Sequence, residues 1–406
     1  MLDRVHRVLR SSCRPLQPRF VAAFSTSLRQ QLKIERSPEL KEIQFKTTGS
    51  TPVEVHVRPS LMESIEFNVH GGVSSEPFAV QQSSKSMIQI VEDELEANDI
   101  VQVELHVPAM LGLNLSLVQG NVLLHEKIEG DVRVNTGTGN ITIDKVRGMN
   151  LQFTSNNGAI VVNSLVEGES VAMSAKQIEC KKILAKDANI KLTKATLPLD
   201  SSFGAMYVAQ GQLFNAATGS LRVGNIHGSL DIKSQDASLI QVSSVNGSLY
   251  VEDVGNNCNI DVHYDSIHQV ASIEHASDLS CGGNIAMSIN PSISAHLDLH
   301  GESINTEGCE FTDYSYEQLD EDYAIASGIL VPKTSQIAST GTSGKINLAG
   351  AKESAMTTSF FSSSSNEMDE VENETPTIFA HACSGQITLH QLNWMDKLRQ
   401  KHLKKD

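Results

Sequence analysis

Aliphatic side chains recur along this chain in pairs split by one position, each pair beginning two residues after a glycine. Gly139 is followed by NITI and, nineteen residues later, Gly158 by AIVV. The same phrase begins at Gly120 (NVLL), Gly130 (DVRV), Gly219 (SLRV), Gly228 (SLDI), Gly247 (SLYV), Gly283 (NIAM), Gly344 (KINL) and Gly385 (QITL). Alternation with period two marks a strand buried on one face. A glycine before each strand supplies a corner where the backbone can take positive φ. Two contexts alternate: the glycine follows polar residues, as in NTGTG and SNNG, or an apolar residue and a spacer, as in KIEG, NIHG and SVNG. Spacing within a context is close to nineteen, and between contexts nine or ten.

Two strands and two unlike corners per nineteen residues describe a coil that returns above itself, one strand spacing of about 4.8 Å per lap. A β-sandwich of hairpins would instead require two-residue turns and has no natural place for so long a period. The predicted fold is therefore all-β, a single-stranded parallel β-solenoid with about 19-residue coils, an N-terminal β cap and a short C-terminal helix. One coil cannot bury its apolar face alone, so neighbouring coils must share the burial.

Local composition divides the chain further. Residues 1–30 read as a mitochondrial transit peptide, rich in Arg and Ser, poor in acids, with Leu2, Val5 and Leu9 on one helical face. A secretory signal needs a longer uncharged apolar run than FVAAF. Residues 40–110 carry alternating segments without corner glycines (VEVHV, IEFNV, MIQIV, VQVELHV) and are expected to form a β-rich cap over the first open edge. The solenoid is expected over 111–308, with its spacing blurred between 174 and 218 around Pro198 and Phe203–Phe214. An acidic, Tyr-containing loop is predicted at 309–327, with six acids and three tyrosines. Terminal coils follow over 328–392, interrupted by a Ser-rich, acidic disordered loop at 353–377. Residues 393–406 read as a basic helix, with Leu392, Met395 and Leu398 on one side, capping the last coil.

Charge narrows the partners. The formal net charge is −16, and removing the six arginines and one aspartate of residues 1–30 takes it to −21. So acidic a body repels phosphate backbones and anionic lipid, which disfavours nucleic acid. No apolar stretch has the length of a transmembrane helix. Six cysteines without a C-x-x-C pair, in a chain with this address, read as reduced thiols.

From VQVELHVPAMLGLNLSLVQGNVLLHEKIEGDVRVNTGTGNITI onward, the chain resembles the putative-adhesin repeat domain of unknown function, of the bacterial β-solenoid type. Pro108, Gly120, Gly130, Gly139, Gly158, Gly228 and Gly247 carry the match, over roughly 100 to 300. Length, the leading presequence and the Trp-containing tail make an uncharacterised animal family with that domain the nearer likeness. The resemblance implies a β-solenoid and no established catalytic residues. An import signal sits awkwardly with surface adhesion.

Candidate chemistry is sparse. NIDVHYDSIHQV places Asp261, His263 and Asp265 on one strand face, opposite Ile260, Val262 and Tyr264. Carboxylate and imidazole along a strand can begin a metal site, but need ligands from a third direction. A solvated outer face explains the same residues. Cys281 and Cys383 each stand two residues before a repeat glycine, an equivalence that suggests small buried side chains, although His381 stands near enough in sequence to activate Cys383. GTSGKI brushes against a phosphate loop, but Ser339 replaces the first glycine and Ile346 the magnesium-binding hydroxyl. Glycan cleavage needs two carboxylates across the scissile bond, and Asp131, Asp144, Asp231, Glu252 and Asp253 are scattered.

The expectation is thus a non-enzymatic mitochondrial β-solenoid, a protein-binding or scaffolding module with an unknown protein partner, no cofactor and no catalytic residues. The alternatives are a polysaccharide hydrolase or lyase on a β-helix groove, and a secreted adhesin-like protein whose sequons at Asn114, Asn140, Asn246 and Asn373 would then be open to glycosylation.

Overall fold

The structure, a computed structural model, describes residues 28–71, 76–93, 100–268, 275–333, 375–393, 395–397 and 399. These form one mostly parallel sheet of twenty-six strands that winds around a core of small aliphatic side chains. The N-terminal strands are β1 (Leu28–Glu35), β2 (Glu42–Lys46), β3 (Val53–Ser60), β4 (Ser64–His70), β5 (Phe78–Ser84), β6 (Met87–Glu92) and β7 (Val101–Pro108). The next five are β8 (Gly112–Gln119), β9 (Val122–Glu129), β10 (Val132–Thr138), β11 (Ile141–Arg147) and β12 (Asn150–Ser155). Five long strands follow: β13 (Ala159–Ala175), β14 (Gln177–Leu192), β15 (Ser201–Asn215), β16 (Ser220–Ser234) and β17 (Leu239–Asp253). Each long strand bends across two walls. Ile160 in the first half of β13 lies beside Ile141 of β11, while Val171 in its second half lies beside Leu151 of β12.

Parallel register puts like residues in columns. Ile141 stands between Val122 and Ile160, all three pointing inward and buried. Lap length is not constant. Ile160 pairs with Ile178 and Cys180 with Phe203, the longer advance being taken up by the segment around Pro198. Phe203 and Phe214, which blur the sequence spacing, lie inside β15 in register with both neighbours.

The corners explain the glycines more fully than positive φ alone. Gly139 has φ 136°, and a Cβ there would lie 2.0 Å from the carbonyl oxygen of Gly120 on the previous lap. Gly158 lacks positive φ in the left-handed range, yet its Cβ would lie 2.0 Å from the Gly139 oxygen. Close stacking excludes a side chain at both. The residue after the glycine then bonds upward: Asn140 N donates to Asn121 Oδ1 at 2.8 Å, and Ala159 N to Asn140 Oδ1 at 2.9 Å. At the same corner, buried Thr136 and Ser155 donate to the carbonyls of Gly120 and Gly139 at 3.0 and 2.7 Å.

Both ends depart from sequential stacking. The β2–β3 lap pairs in parallel with β6–β7 on one side and β8–β9 on the other. It lies between laps that follow it in the chain. Much of 40–110 therefore stacks as laps, and the antiparallel strands are β1, β4 and β5, of which β1 precedes residue 40. Phe45, Phe67 and Phe78 pack there at ring-centroid distances of 5.2–6.2 Å. At the far end stand β18 (Asn259–Ile267), β19 (Ser277–Cys281), β20 (Ile285–Ile289), β21 (Ala295–Gly301), β22 (Ser303–Asn305), β23 (Phe311–Asp320), β24 (Tyr323–Leu330), β25 (Thr377–Ala382) and β26 (Gln386–Gln391). The β25–β26 lap lies between β19–β20 and β21–β22.

Several boundaries change. The expected acidic loop at 309–327 is the antiparallel hairpin β23–β24. Its first strand pairs on the backbone while its side chains stay in solvent, so no alternation marks it in sequence. Leu28–Gln30 belong to β1, and the Gln30 amide donates to the Phe78 carbonyl at 2.8 Å. The address segment proper, residues 1–27, lies outside the described residues, as do Gly344, Ser339, Ile346 and most of 353–377, whose last residue opens β25. Helical turn is described at Met395–Lys397 and Arg399. Lys397 Nζ pairs with Asp261 on β18 at 2.8 Å.

Replacing Ile141 with Asp places an unpaired carboxylate in the core and is expected to lower stability by more than about 3 kcal/mol, read as a shift in the denaturation midpoint. Gln152→Asp, on the exposed face of β12, is expected to stay within about 0.5 kcal/mol.

Candidate functional site

Alternation along β19, β25, β21 and β24 sends Leu279, Ala380, Leu299 and Ala326 into the core. The residues between them face outward. Register then aligns Asp278 with Phe379 and Asp298, and Ser280 with His381 and His300. His300 is held at both nitrogens: Nε2 lies 3.0 Å from Asp298 Oδ1 and Nδ1 2.8 Å from the Tyr323 hydroxyl. A carboxylate facing Nε2 accepts, so Nε2 carries a hydrogen there. Phe379 lies 5.2 Å from the His300 ring and 5.7 Å from that of His275. His381 meets the His300 ring edge-on at 6.1 Å. Burial holds the His381 imidazole below its ordinary pKa, and the neighbouring His300 adds to this, so it is neutral near pH 7. Burial pushes the Asp278 carboxyl up, against the pull of His275 and His381.

This face ends on the β24–β23 hairpin. Among the described residues β23 pairs with β24 alone, and nine of its ten residues are exposed. Tyr314, Tyr316 and Leu319 are 44%, 48% and 52% exposed. Residues 309–332 contain six acids and no Lys or Arg. The site offers aromatic and imidazole faces beside an acidic strand whose outer edge has no partner among the described residues. Asp298, His300 and the Tyr323 hydroxyl form one hydrogen-bonded chain, with both ring nitrogens of His300 engaged.

The residues singled out in the sequence are placed elsewhere. Asp261, His263 and Asp265 do share the outer face of β18, but they do not converge. His263 is fully buried, with Nε2 3.0 Å from Asp265 Oδ1 and Nδ1 2.9 Å from Ser288 Oγ. Asp261 turns away to Lys397 and to Gln241, whose amide donates at 2.8 Å. Burial lowers the His263 pKa, with Lys397 adding to this and Asp265 opposing it. Ser288, His263 and Asp265 have the connectivity of a nucleophile–base–acid chain. They are sealed, however: Ser288 is 4% exposed and its hydroxyl reaches the Val262 carbonyl at 3.2 Å.

The thiols divide as well. Cys281 is buried, and burial pushes its pKa up to about 12. The expected equivalence with Cys383 fails, because Cys281 aligns with Ala382 and leaves Cys383 exposed at the next turn. Asp131 accepts the backbone N–H groups of Met149 and Asn150, and buried Asp253 those of Ala237 and Gly255. Those carboxylates serve corners of the coil. Among the described residues, no group of three or more His, Cys, Asp or Glu side chains is arranged to hold a metal. No described helix is long and apolar enough to cross a membrane.

Sequence reasoning missed the His300 platform because its members are distant in the chain and meet only through the inserted lap. The signal present was the alternation of HLDLH at 296–300 with IFAHA at 378–382.

No protein-family profile and no curated protein matches the chain. Among solved structures it is similar to a putative adhesin from Parabacteroides merdae, at 12% identity over 57% of this chain and 94% of that one, with a TM-score of 0.39. A putative adhesin from Parabacteroides distasonis is similar at 14% identity over 59% and 98%, TM-score 0.34. A putative cell adhesion protein from Clostridium sporogenes is similar at 9% identity over 89% and 99%, TM-score 0.18.

Proposed function

We propose that this chain is a non-enzymatic, mitochondrial protein-binding module whose recognition element is the open edge of β23, which takes up a basic, extended segment of a partner protein. The observation that carries this reading is the exposure and charge of that strand. Sheet edges recruit other strands unless something blunts them. Here Asp313, Glu317 and Asp320 on β23, with Glu321 and Asp322 at the turn, repel a second copy of the same acidic strand. A strand bearing Lys or Arg would instead gain backbone pairing and opposite charge together, with Tyr314 and Tyr316 supplying apolar contact. The non-enzymatic reading rests on how the acids and histidines are spent: they hold corners, pair with one another or are sealed.

Peptides that alternate Lys with Val are expected to bind the full chain, and more weakly as salt rises. The triple variant Asp313→Lys, Glu317→Lys, Asp320→Lys is expected to bind them at least tenfold more weakly, a loss of about 1.4 kcal/mol. Equal binding by the variant and the parent, measured by fluorescence anisotropy, would refute the assignment to this edge.

The mitochondrial location is supported by the Arg-rich, acid-poor character of the leading segment. Deleting residues 1–27, which spares β1, is expected to leave the protein cytosolic in fractionated cells. Continued mitochondrial residence of the deletion would contradict the address, and a glycosidase-sensitive mass of the full chain would favour the secreted alternative.

A further inference from the structure

A second histidine cluster lies at the opposite end of the molecule, on the outer faces of β3 and β9. These strands run in parallel, with Val55 beside Val122 and Val57 beside Leu124 pointing inward. The intervening His56 therefore points out, and so does His125, just before a backbone irregularity at Glu126 (φ 57°). His56 Nδ1 and His125 Nε2 lie 2.9 Å apart, and the rings are nearly parallel, 7° from coplanar orientation with centroids 5.2 Å apart. The far nitrogen of His56, Nε2, is 2.7 Å from Glu54 Oε1.

The hydrogen bond from His56 holds the Glu54 carboxyl below its usual range, so it is ionised and can only accept. His56 Nε2 therefore carries a hydrogen. Between His56 Nδ1 and His125 Nε2 there is room for one proton only, and the two nitrogens face one another along the line of the ring centres.

We propose that His56 and His125 together bind a divalent transition ion of the kind that prefers imidazole, such as Zn²⁺, with water completing the coordination and Glu54 positioning His56 from behind. Two imidazoles on one tetrahedral ion, at about 2.0–2.1 Å each, bring their nitrogens to about 3.3 Å. The present 2.9 Å separation needs to widen by about 0.4 Å, and each ring to swing by about 35°, for the ion to take the place of the shared proton. The Glu54–His56 contact is the carboxylate–histidine pairing that orients metal-binding imidazoles. Further charge around the pair is acidic on balance. Glu104 lies beside His56 on β7, and the fields of Glu126 and Asp144 reach His125, against a single opposing Arg58. Asp144 itself is engaged with the Glu126 N–H at 3.1 Å and the Asn163 amide at 2.9 Å, so it supplies field, not a ligand.

The test is calorimetric titration of the purified full-length chain with Zn²⁺. One equivalent is expected to bind, weakened at least tenfold by His56→Ala or His125→Ala and about tenfold by Glu54→Gln. His300→Ala and His381→Ala, at the other end of the sheet, are expected to leave that equivalent unchanged. A readout that needs no variant is the imidazole NMR of the parent protein, in which two of its fourteen histidines should shift together at one equivalent. Zn²⁺ binding that survives in the His56→Ala/His125→Ala double variant, or shifts confined to other histidines, would overturn the assignment.

Discussion

A strand inside this fold can satisfy its backbone donors and acceptors only with the laps above and below it, because its two faces are given to the core and to solvent. Register between laps is therefore the constraint from which the other features follow. It fixes Ile141 between Val122 and Ile160, so that aliphatic side chains stack into one interior. It also brings the corners so close that Gly139 and Gly158 meet the preceding carbonyl at a distance where no Cβ fits. Once the corners are that tight, the asparagine after each glycine lies within reach of the next lap, and Asn121 and Asn140 extend the ladder with their side chains.

The same constraint makes the ends the costly part of the molecule, since an unpaired lap exposes both its edge and its core. At each end the chain inserts a lap out of order: β2–β3 near the start and β25–β26 near the finish. Insertion ties distant stretches of sequence together and leaves only a few antiparallel strands outermost. Of these, β23 is nearly all exposed and acidic. Among the described residues only β24 pairs with it.

Much of the interior was legible because burial on one face imposes period two, and close stacking imposes glycine. Those two signals located Ile141, Ile143, Ile160 and their corners directly. They fail where their causes fail. β23 has no buried face, so it reads as a loop. The order of laps at the ends leaves no local mark, because any two in-register strands look alike in sequence. The histidine sites were hidden for the same reason. His56 and His125 are sixty-nine residues apart in the chain, and they meet only because β3 lies beside β9. Asp261, His263 and Asp265 looked promising because strand alternation does place them on one face. Their partners on neighbouring strands and the C-terminal turn decide otherwise, and those are tertiary facts.

In-register parallel stacking is tested most directly by disulfide trapping on the exposed face of the coil. Arg133 on β10 lies beside Gln152 on β12, and both side chains are exposed. Neighbouring strands stand about 4.8 Å apart, within the Cα separation a disulfide spans. The variant Arg133→Cys/Gln152→Cys should form a new intramolecular disulfide on mild oxidation, found by peptide mass mapping, and the off-register Arg133→Cys/Thr154→Cys should form far less. Trapping of residue 133 with a cysteine placed on β11 instead, as an antiparallel hairpin would require, would contradict the stacked coil.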